Sequence, residues 1–173
     1  PKIDIKLIDA IGRKWQASTV QFDFNLPRRF DVTYVDQSGE DKYVYMVHRA
    51  IMGSLERFIG ILTEHFGGDF PLWLSPEHCR ILSVSRDQHP YAEEVAHRLR
   101  VMGLRASADV REEKIGYKIR EAETQRVPFM LIVGGKEQEA GTVSVRARHR
   151  DDPGELEVGV FAKRMLDEIA AKS

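Results

Sequence analysis

The stretch His48-Arg49-Ala50-Ile51-Met52-Gly53-Ser54-Leu55-Glu56-Arg57-Phe58 changes its hydrophobic period halfway along. Residues 43–48 before it read as a strand. Beyond it, Leu55, Phe58, Ile59 and Leu62 recur at helical spacing. Gly53 precedes this helix and Gly67-Gly68 closes it. Small residues in the turn let a backbone approach a ligand closely. A helix start favours anions, and an arginine in its first turn offers a planar fork that suits a triphosphate. The same pattern also describes an ordinary strand–helix junction with a charge pair on its surface, so the junction alone leaves both readings open.

Upstream, Ile3, Ile5 and Leu7 alternate with Asp4 and Lys6, the period of a half-buried strand. Residues 10–13 read as a turn and 15–24 as the return strand. A third strand near 30–35, a polar turn at 36–41 and the strand at 43–48 complete an antiparallel meander punctuated by Pro27. Downstream, residues 67–77 hold two glycines, two prolines and a tryptophan with no regular period, which predicts a linker. The pattern then becomes α/β. Strands are expected at 80–85, 104–110, 129–133 and 142–148, the last with Val143 and Val145 on one face. Helices are expected from Pro90 to Gly103, over 114–125 ahead of Pro128, and over 158–171. Gly134-Gly135 reads as a turn. The chain therefore divides into a strand-rich part, 1–76, and an α/β part, 77–173, with no internal repeat.

The 173 residues are 42% hydrophobic and 31% charged, which suits a folded, water-exposed protein. No apolar run approaches the ~20 residues of a bilayer span, so no membrane partner is expected. The single cysteine, Cys79, excludes an internal disulfide and fits a reducing, cytoplasmic setting. The chain starts at Pro1, which fits either a processed start or a piece of a longer protein. A net charge of −1 does not announce a nucleic-acid binder. Residues 105–150 nevertheless carry ten Lys and Arg against seven Asp and Glu, a bias that a solvated surface explains as well as a ligand does.

Three stretches carry a resemblance. The quoted junction resembles the third signature motif of class II aminoacyl-tRNA synthetases, in the form used by threonyl-tRNA synthetases. Trp15-Gln16-Ala17-Ser18-Thr19-Val20-Gln21-Phe22-Asp23-Phe24 resembles the preceding strand of that active site, and Lys114-Ile115-Gly116-Tyr117-Lys118-Ile119-Arg120-Glu121 a signature of the anticodon-binding domain. The likeness covers nearly the whole chain. It implies an α+β / α/β chain: the C-terminal part of a class II antiparallel-sheet catalytic domain, then an α/β anticodon-binding domain with a mixed sheet.

The resemblance also implies roles. Arg57 would pair with the triphosphate of ATP as the catalytic arginine, with Gln16 and Thr19 holding the nucleotide. Gln21 and Ser54 would line the aminoacyl end of the pocket. His48 would be one of three Zn2+ ligands, the other two lying upstream; Mg2+ would arrive with ATP. Lys114, Arg126, Glu137 and Arg146 would contact the anticodon. Glu112 stands where many family members carry asparagine, and glutamate offers acceptors only. That implies either altered base contact or a side chain in solvent. Without the resemblance, a lone histidine at a strand end is an ordinary surface or core residue, and Glu137 a solvated charge. Cys79 opens an apolar strand and reads as core.

The implied activity is threonine–tRNA ligation using ATP, threonine and tRNA-Thr, in a whole enzyme expected to be a homodimer. Zinc would let threonine's hydroxyl be told from valine's methyl, a distinction that a hydrophobic pocket makes poorly. This chain by itself is expected to hold an incomplete active site and to be inactive. The competing reading is a non-catalytic paralogue that binds tRNA or protein through the α/β part.

Overall fold

The computed structural model describes residues 1–172. They form two compact units, one over Pro1–Gly68 and one from Asp69 onward. In the first unit, β1 (Lys2–Ile8) and β2 (Lys14–Asp23) form an antiparallel hairpin, and β5 (Met46–Ala50) pairs with the other edge of β2. The hairpin turn is knotted by Asp9, whose carboxylate accepts from the amides of Ile11 and Arg13 and from the Trp15 indole at 2.9 Å. Partial burial raises this carboxyl, but donors from Trp15 and Arg13 bring it down to about 2.

The middle of this unit differs from the expected meander. A short helix, α1 (Asn25–Arg29), occupies the stretch around Pro27, because the Asp23 carboxylate accepts the amides of Asn25 and Leu26. Proline in a first helical turn has no amide to leave unsatisfied. The third strand shortens to β3 (Thr33–Val35), which pairs only with β4 (Asp41–Tyr43) in a separate ribbon. The strand expected at 43–48 is thus shared between two sheets. The helix α2 (Leu55–Phe66) follows, with Ser54 at its N-cap and Gly67 left-handed at φ 57° behind it.

The second unit is a five-stranded mixed sheet in the order β10 (Gly154–Glu157), β9 (Thr142–Ala147), β8 (Phe129–Val133), β6 (Cys79–Ser83), β7 (Ala106–Asp109). The three strands β7, β6 and β8 run parallel, and β9 and β10 are antiparallel additions. Alternation along β6 sends Cys79 and Ile81 to one face, where Val95 and Leu99 of α3 (His89–Val101) and Phe161 and Met165 of α6 (Val158–Ala171) pack. It sends Leu82 to the other, against Ala122 of α4 (Ile115–Thr124). A central strand buried on both faces reads as an unbroken apolar run, as β8 does with Phe129, Leu131 and Val133 on one face and Met130 on the other. The Gly134-Gly135 turn is in fact the start of a helix, α5 (Gly135–Ala140), and β10 has no clear period in the sequence. Among the described residues no helix is long and apolar enough to cross a membrane.

The irregular stretch ahead of β6 is seated on this second unit. Leu72 is buried in the same core, and the Arg105 guanidinium donates to the carbonyls of Ser75 and Trp73. His78 is 1% exposed; its Nδ1 accepts the Arg105 amide at 3.1 Å, so the proton sits on Nε2, which has no partner. Burial, then the Arg105 charge, pushes the ring down to about 4 from an ordinary 6.5.

Burial separates the two units energetically. Among the described residues of the first unit, Ala17 and Pro27 alone are buried, while Ile3 and Ile8 are each 67% exposed. A fully buried Val, Leu, Ile or Phe stabilises by roughly 1.5–3 kcal/mol, against about 1–2 kcal/mol per residue for ordering the backbone. The first unit has no such residue to set against that cost; the second has many. Expressed separately, the piece from Asp69 onward should melt cooperatively with protected strand amides, and residues 1–68 should show neither. Strong amide protection in the isolated first piece would contradict this. For His78 the unfolded chain binds more protons between pH 6.5 and about 4. Stability present above that window is therefore lost as pH falls through it, by about 3 kcal/mol. Asparagine keeps the acceptor for Arg105 without titrating, so His78→Asn should flatten melting temperature against pH in this range; an unchanged slope would refute the assignment.

Candidate functional site

The β2–β5 pairing sets Thr19 opposite Ala50, Gln21 opposite His48 and Asp23 opposite Met46. Strand alternation therefore lines up Thr19, Gln21 and Asp23 on one face of β2, with His48 beside them. Gln16 has the wrong parity for that face. The β1–β2 register resolves this: Ile5 faces Ser18 and Lys6 faces Gln16, so Ala17 is an extra residue, a β-bulge. Past the bulge, the Gln16 amide donates to the Thr19 hydroxyl at 2.9 Å and to the Asp4 carboxylate at 2.8 Å. The Thr19 hydroxyl donates to the same Asp4 oxygen at 2.7 Å. The Thr19 hydroxyl is the main cause that holds the Asp4 carboxyl below its usual range. Asp4 is thus the anchor of this pair, a role that composition could not reveal because it depends on cross-strand register.

The junction that follows β5 folds back on the bulge. Ser18 donates its hydroxyl to the Ile51 carbonyl. Gly53 has φ 66°, and a Cβ there would lie 3.0 Å from the Ala17 carbonyl oxygen and 3.1 Å from Nη2 of Arg57. Conformation and space both require glycine. The Ser54 hydroxyl accepts the Arg57 amide at 3.4 Å as helix cap and donates to Glu56 at 2.7 Å. The Arg57 guanidinium donates to the Gln16 carbonyl at 3.2 Å; among the described residues this engages one of its five N–H donors. Gln16, Thr19 and Arg57 thus come together, with Gln21 and His48 further along β2 and β5. Ser54 is committed to the helix start. Within the cluster the Gln16 amide and Thr19 hydroxyl hydrogens are taken up by Asp4 and by each other, so the Arg57 guanidinium is what it offers an anionic ligand.

The residues present do not make a zinc site. Among the described residues no group of three or more His, Cys, Asp or Glu could hold a metal ion. His48 offers one imidazole, and its Nε2 lies 3.0 Å from the Asp23 carboxylate. Asp23 is itself held below the usual carboxylate range, chiefly by the Leu26 and Asn25 amides. Such a carboxylate orients an imidazole but does not complete a coordination shell. Cys79 is fully buried, and burial pushes its thiol far up.

In the second unit the four anticodon candidates fall into three places. Arg126 and Arg146 line one cleft together with Glu123, Arg148 and Arg150. Arg126 ends the α4 turn at φ 60°, an uncommon backbone for a side chain of its size, and Arg146 lies 3.2 Å from Glu123. Lys114, the N-cap of α4, lines a different crevice with Ser85, Arg86, His89 and Glu112. The Glu112 carboxylate is exposed to solvent, 3.6 Å from Arg86. Glu137 lines neither. It sits at the third position of α5 and accepts the Gly134 amide at 2.9 Å, in space that a Cβ on Gly134 would fill. That cap is a structural task the sequence reading did not give it.

The chain matches two family models, one in each unit. Residues 78–168 match the family model described as anticodon binding domain, and residues 1–66 match the tRNA synthetase class II core domain (G, H, P, S and T). Threonine–tRNA ligases of Symbiobacterium thermophilum and Magnetococcus marinus are each 52% identical over 173 residues, which is 100% of this chain and 27% of theirs. The chain thus spans about a quarter of the length of these curated relatives. The crystal structure of the RNA binding domain of threonyl-tRNA synthetase from Cryptosporidium parvum superposes with a TM-score of 0.83 at 36% identity, covering 97% of this chain and 43% of that one. Prolyl-tRNA synthetase from the same organism shares the fold, with a TM-score of 0.73 at 20% identity over 98% of this chain and 36% of that one. The chain belongs to the threonine–tRNA ligase family of class II aminoacyl-tRNA synthetases, as a part of the class II core followed by the anticodon-binding domain.

Proposed function

We propose that this chain supplies the anticodon-reading domain of a threonine–tRNA ligase together with one wall of its ATP and threonine pocket. The observation that carries the second part is the cluster of Gln16, Thr19 and Arg57 around the Ala17 bulge. In the reaction, a threonine carboxylate oxygen attacks the α-phosphorus of ATP. The bond to the bridging oxygen breaks and pyrophosphate leaves; a ribose hydroxyl of tRNA-Thr then takes the threonyl group and AMP leaves. A carboxylate nucleophile needs no general base, so positioning and charge stabilisation do the work. Arg57 would meet the triphosphate, whose magnesium neutralises part of its charge, and Gln16 and Thr19 would hold the nucleotide. Gln21, with Ser54 at the nearby helix start, would border the amino acid.

For the first part, the threonine anticodon has G and U as its second and third letters. An unstacked guanine presents donors on its Watson–Crick edge, which a carboxylate can accept. Glu137 retains one carboxylate oxygen beyond the one bonded to Gly134. Arg126 and Arg146 could serve acceptor edges or phosphate, and Lys114 phosphate. Glu112, already beside Arg86, faces solvent and adds no donor.

Binding of a cognate anticodon stem-loop, and of one with that guanine replaced, tests this at two salt concentrations. Glu137→Gln keeps an acceptor for the Gly134 cap and removes the charge. It should narrow the affinity gap by an amount within the about 1–3 kcal/mol of a good base contact. Lys114→Ala should weaken both loops alike and lower the salt slope by about one. An unchanged affinity ratio in Glu137→Gln would reduce Glu137 to its capping role. For zinc, a lone imidazole binds weakly. Dialysed protein should carry far less than one equivalent whether or not His48 is changed to Ala; stoichiometric zinc lost in that variant would show a site completed within this chain.

A further inference from the structure

Lys118 is the largest fully buried side chain of the second unit, at 2% exposure. Its ammonium has three donors and all are used: to the Ser83 carbonyl at 3.0 Å, the Ser83 hydroxyl at 3.1 Å and the Asp109 carbonyl at 3.0 Å. The Ser83 hydroxyl in turn donates to the same Asp109 carbonyl at 3.1 Å. Among the described residues no carboxylate pairs with Lys118. The Asp109 carboxylate is taken by Arg111, at 2.9 and 2.6 Å, and Arg111 also reaches Glu121 of α4. An apolar residue would fill this volume without the cost of desolvating a charge. The ammonium therefore has a polar task, and its partners say which.

Ser83 ends β6 and Asp109 ends β7. Lys118 staples the carboxyl ends of two adjacent parallel strands. The chain leaves these two residues into the segments 84–88 and 110–114, which together line the crevice of Arg86, His89, Glu112 and Lys114. The strand order reverses at β6, with β7 on one side and β8 on the other, and α3 and α4 lie on opposite faces. In open α/β sheets the crevice outside the carboxyl ends at such a switch is where ligands bind. The Lys118 amide also donates to the Lys114 carbonyl at 3.2 Å, so the staple is one helical turn from Lys114, which lines the crevice.

We propose that Lys118 is a positioning residue for RNA recognition: it touches no RNA itself, but by tying the Ser83 and Asp109 carbonyls it holds both loops, and with them Arg86 and Lys114, at a fixed separation. The inference rests on the anticodon-reading role proposed above.

The test uses the whole chain, the cognate stem-loop and the guanine-replaced stem-loop, with amide exchange of residues 84–86 and 110–114 in the RNA-free protein. Lys118→Met takes the ammonium from the Ser83 carbonyl and leaves the Asp109 carbonyl only the Ser83 hydroxyl. It should weaken binding of both loops about tenfold and raise exchange in both segments. Ser83→Ala removes one of the three bonds and should act in the same direction by about two- to fivefold. Val95→Ala, on the opposite face of the sheet, should lower the melting temperature and change neither readout. Cognate affinity and loop exchange both unchanged in folded Lys118→Met overturn the proposal. If that variant does not fold, the same result in Ser83→Ala overturns it. If the unaltered chain shows no preference for the cognate loop, the anticodon-reading proposal fails instead, and loop exchange alone decides the staple.

Discussion

Burial of β6 on both of its faces is the constraint from which the second unit follows. A strand with Cys79 and Ile81 facing α3 and α6, and Leu82 facing α4, needs helices on both sides. Parallel neighbours joined by helical crossovers supply them. That arrangement brings the ends of β6 and β7 together at one edge, where the chain must leave the sheet. Carbonyls there have run out of ladder partners, and an unpaired buried carbonyl is costly. Lys118 is the answer the fold uses for two of them. The cation-lined crevice above is thus tied directly to the packing of the core below.

The first unit is organised by a different device. Its sheet has one residue too many in β2, and the Ala17 bulge converts a parity mismatch into a cluster. Without it, Gln16 and Thr19 would point to opposite faces. With it, they share Asp4, and the Gln16 carbonyl becomes the perch of Arg57. Gly53 is fixed by the same bulge, since its missing side chain leaves room for the Ala17 carbonyl. This geometry is precise although the unit buries little, because local hydrogen bonds set it. Donors and acceptors are matched within one hairpin and one helix start.

Much of this was legible in the sequence. The strand-to-helix switch at His48–Phe58, the apolar runs of β6 and β8, and the helices α2, α3, α4 and α6 stand close to where periodicity put them. These elements are amphipathic or uniformly buried, and their pattern follows from the face that packs. The misreadings share a cause. The helix α1 rests on the Asp23 carboxylate, α5 on Glu137, and β10 on pairing with β9; none of these is an apolar pattern. Lys118 carried a faint signal, lying among Ile115, Ile119 and Ala122 on the buried stripe of α4.

By itself the sequence determined the family and the identity of the residues that carry charge and donors, because residue types and short spacings are properties of the chain. The tertiary structure alone decided which of them meet. Asp4 joins Gln16 and Thr19 across a register shift. Arg126 and Arg146 share a cleft from which Glu137 is absent, and of the two lysines that line the other crevice Lys118 is buried and Lys114 exposed. Register, parity and burial are relations between segments distant in the chain, so they take definite values only once the backbone has closed on itself.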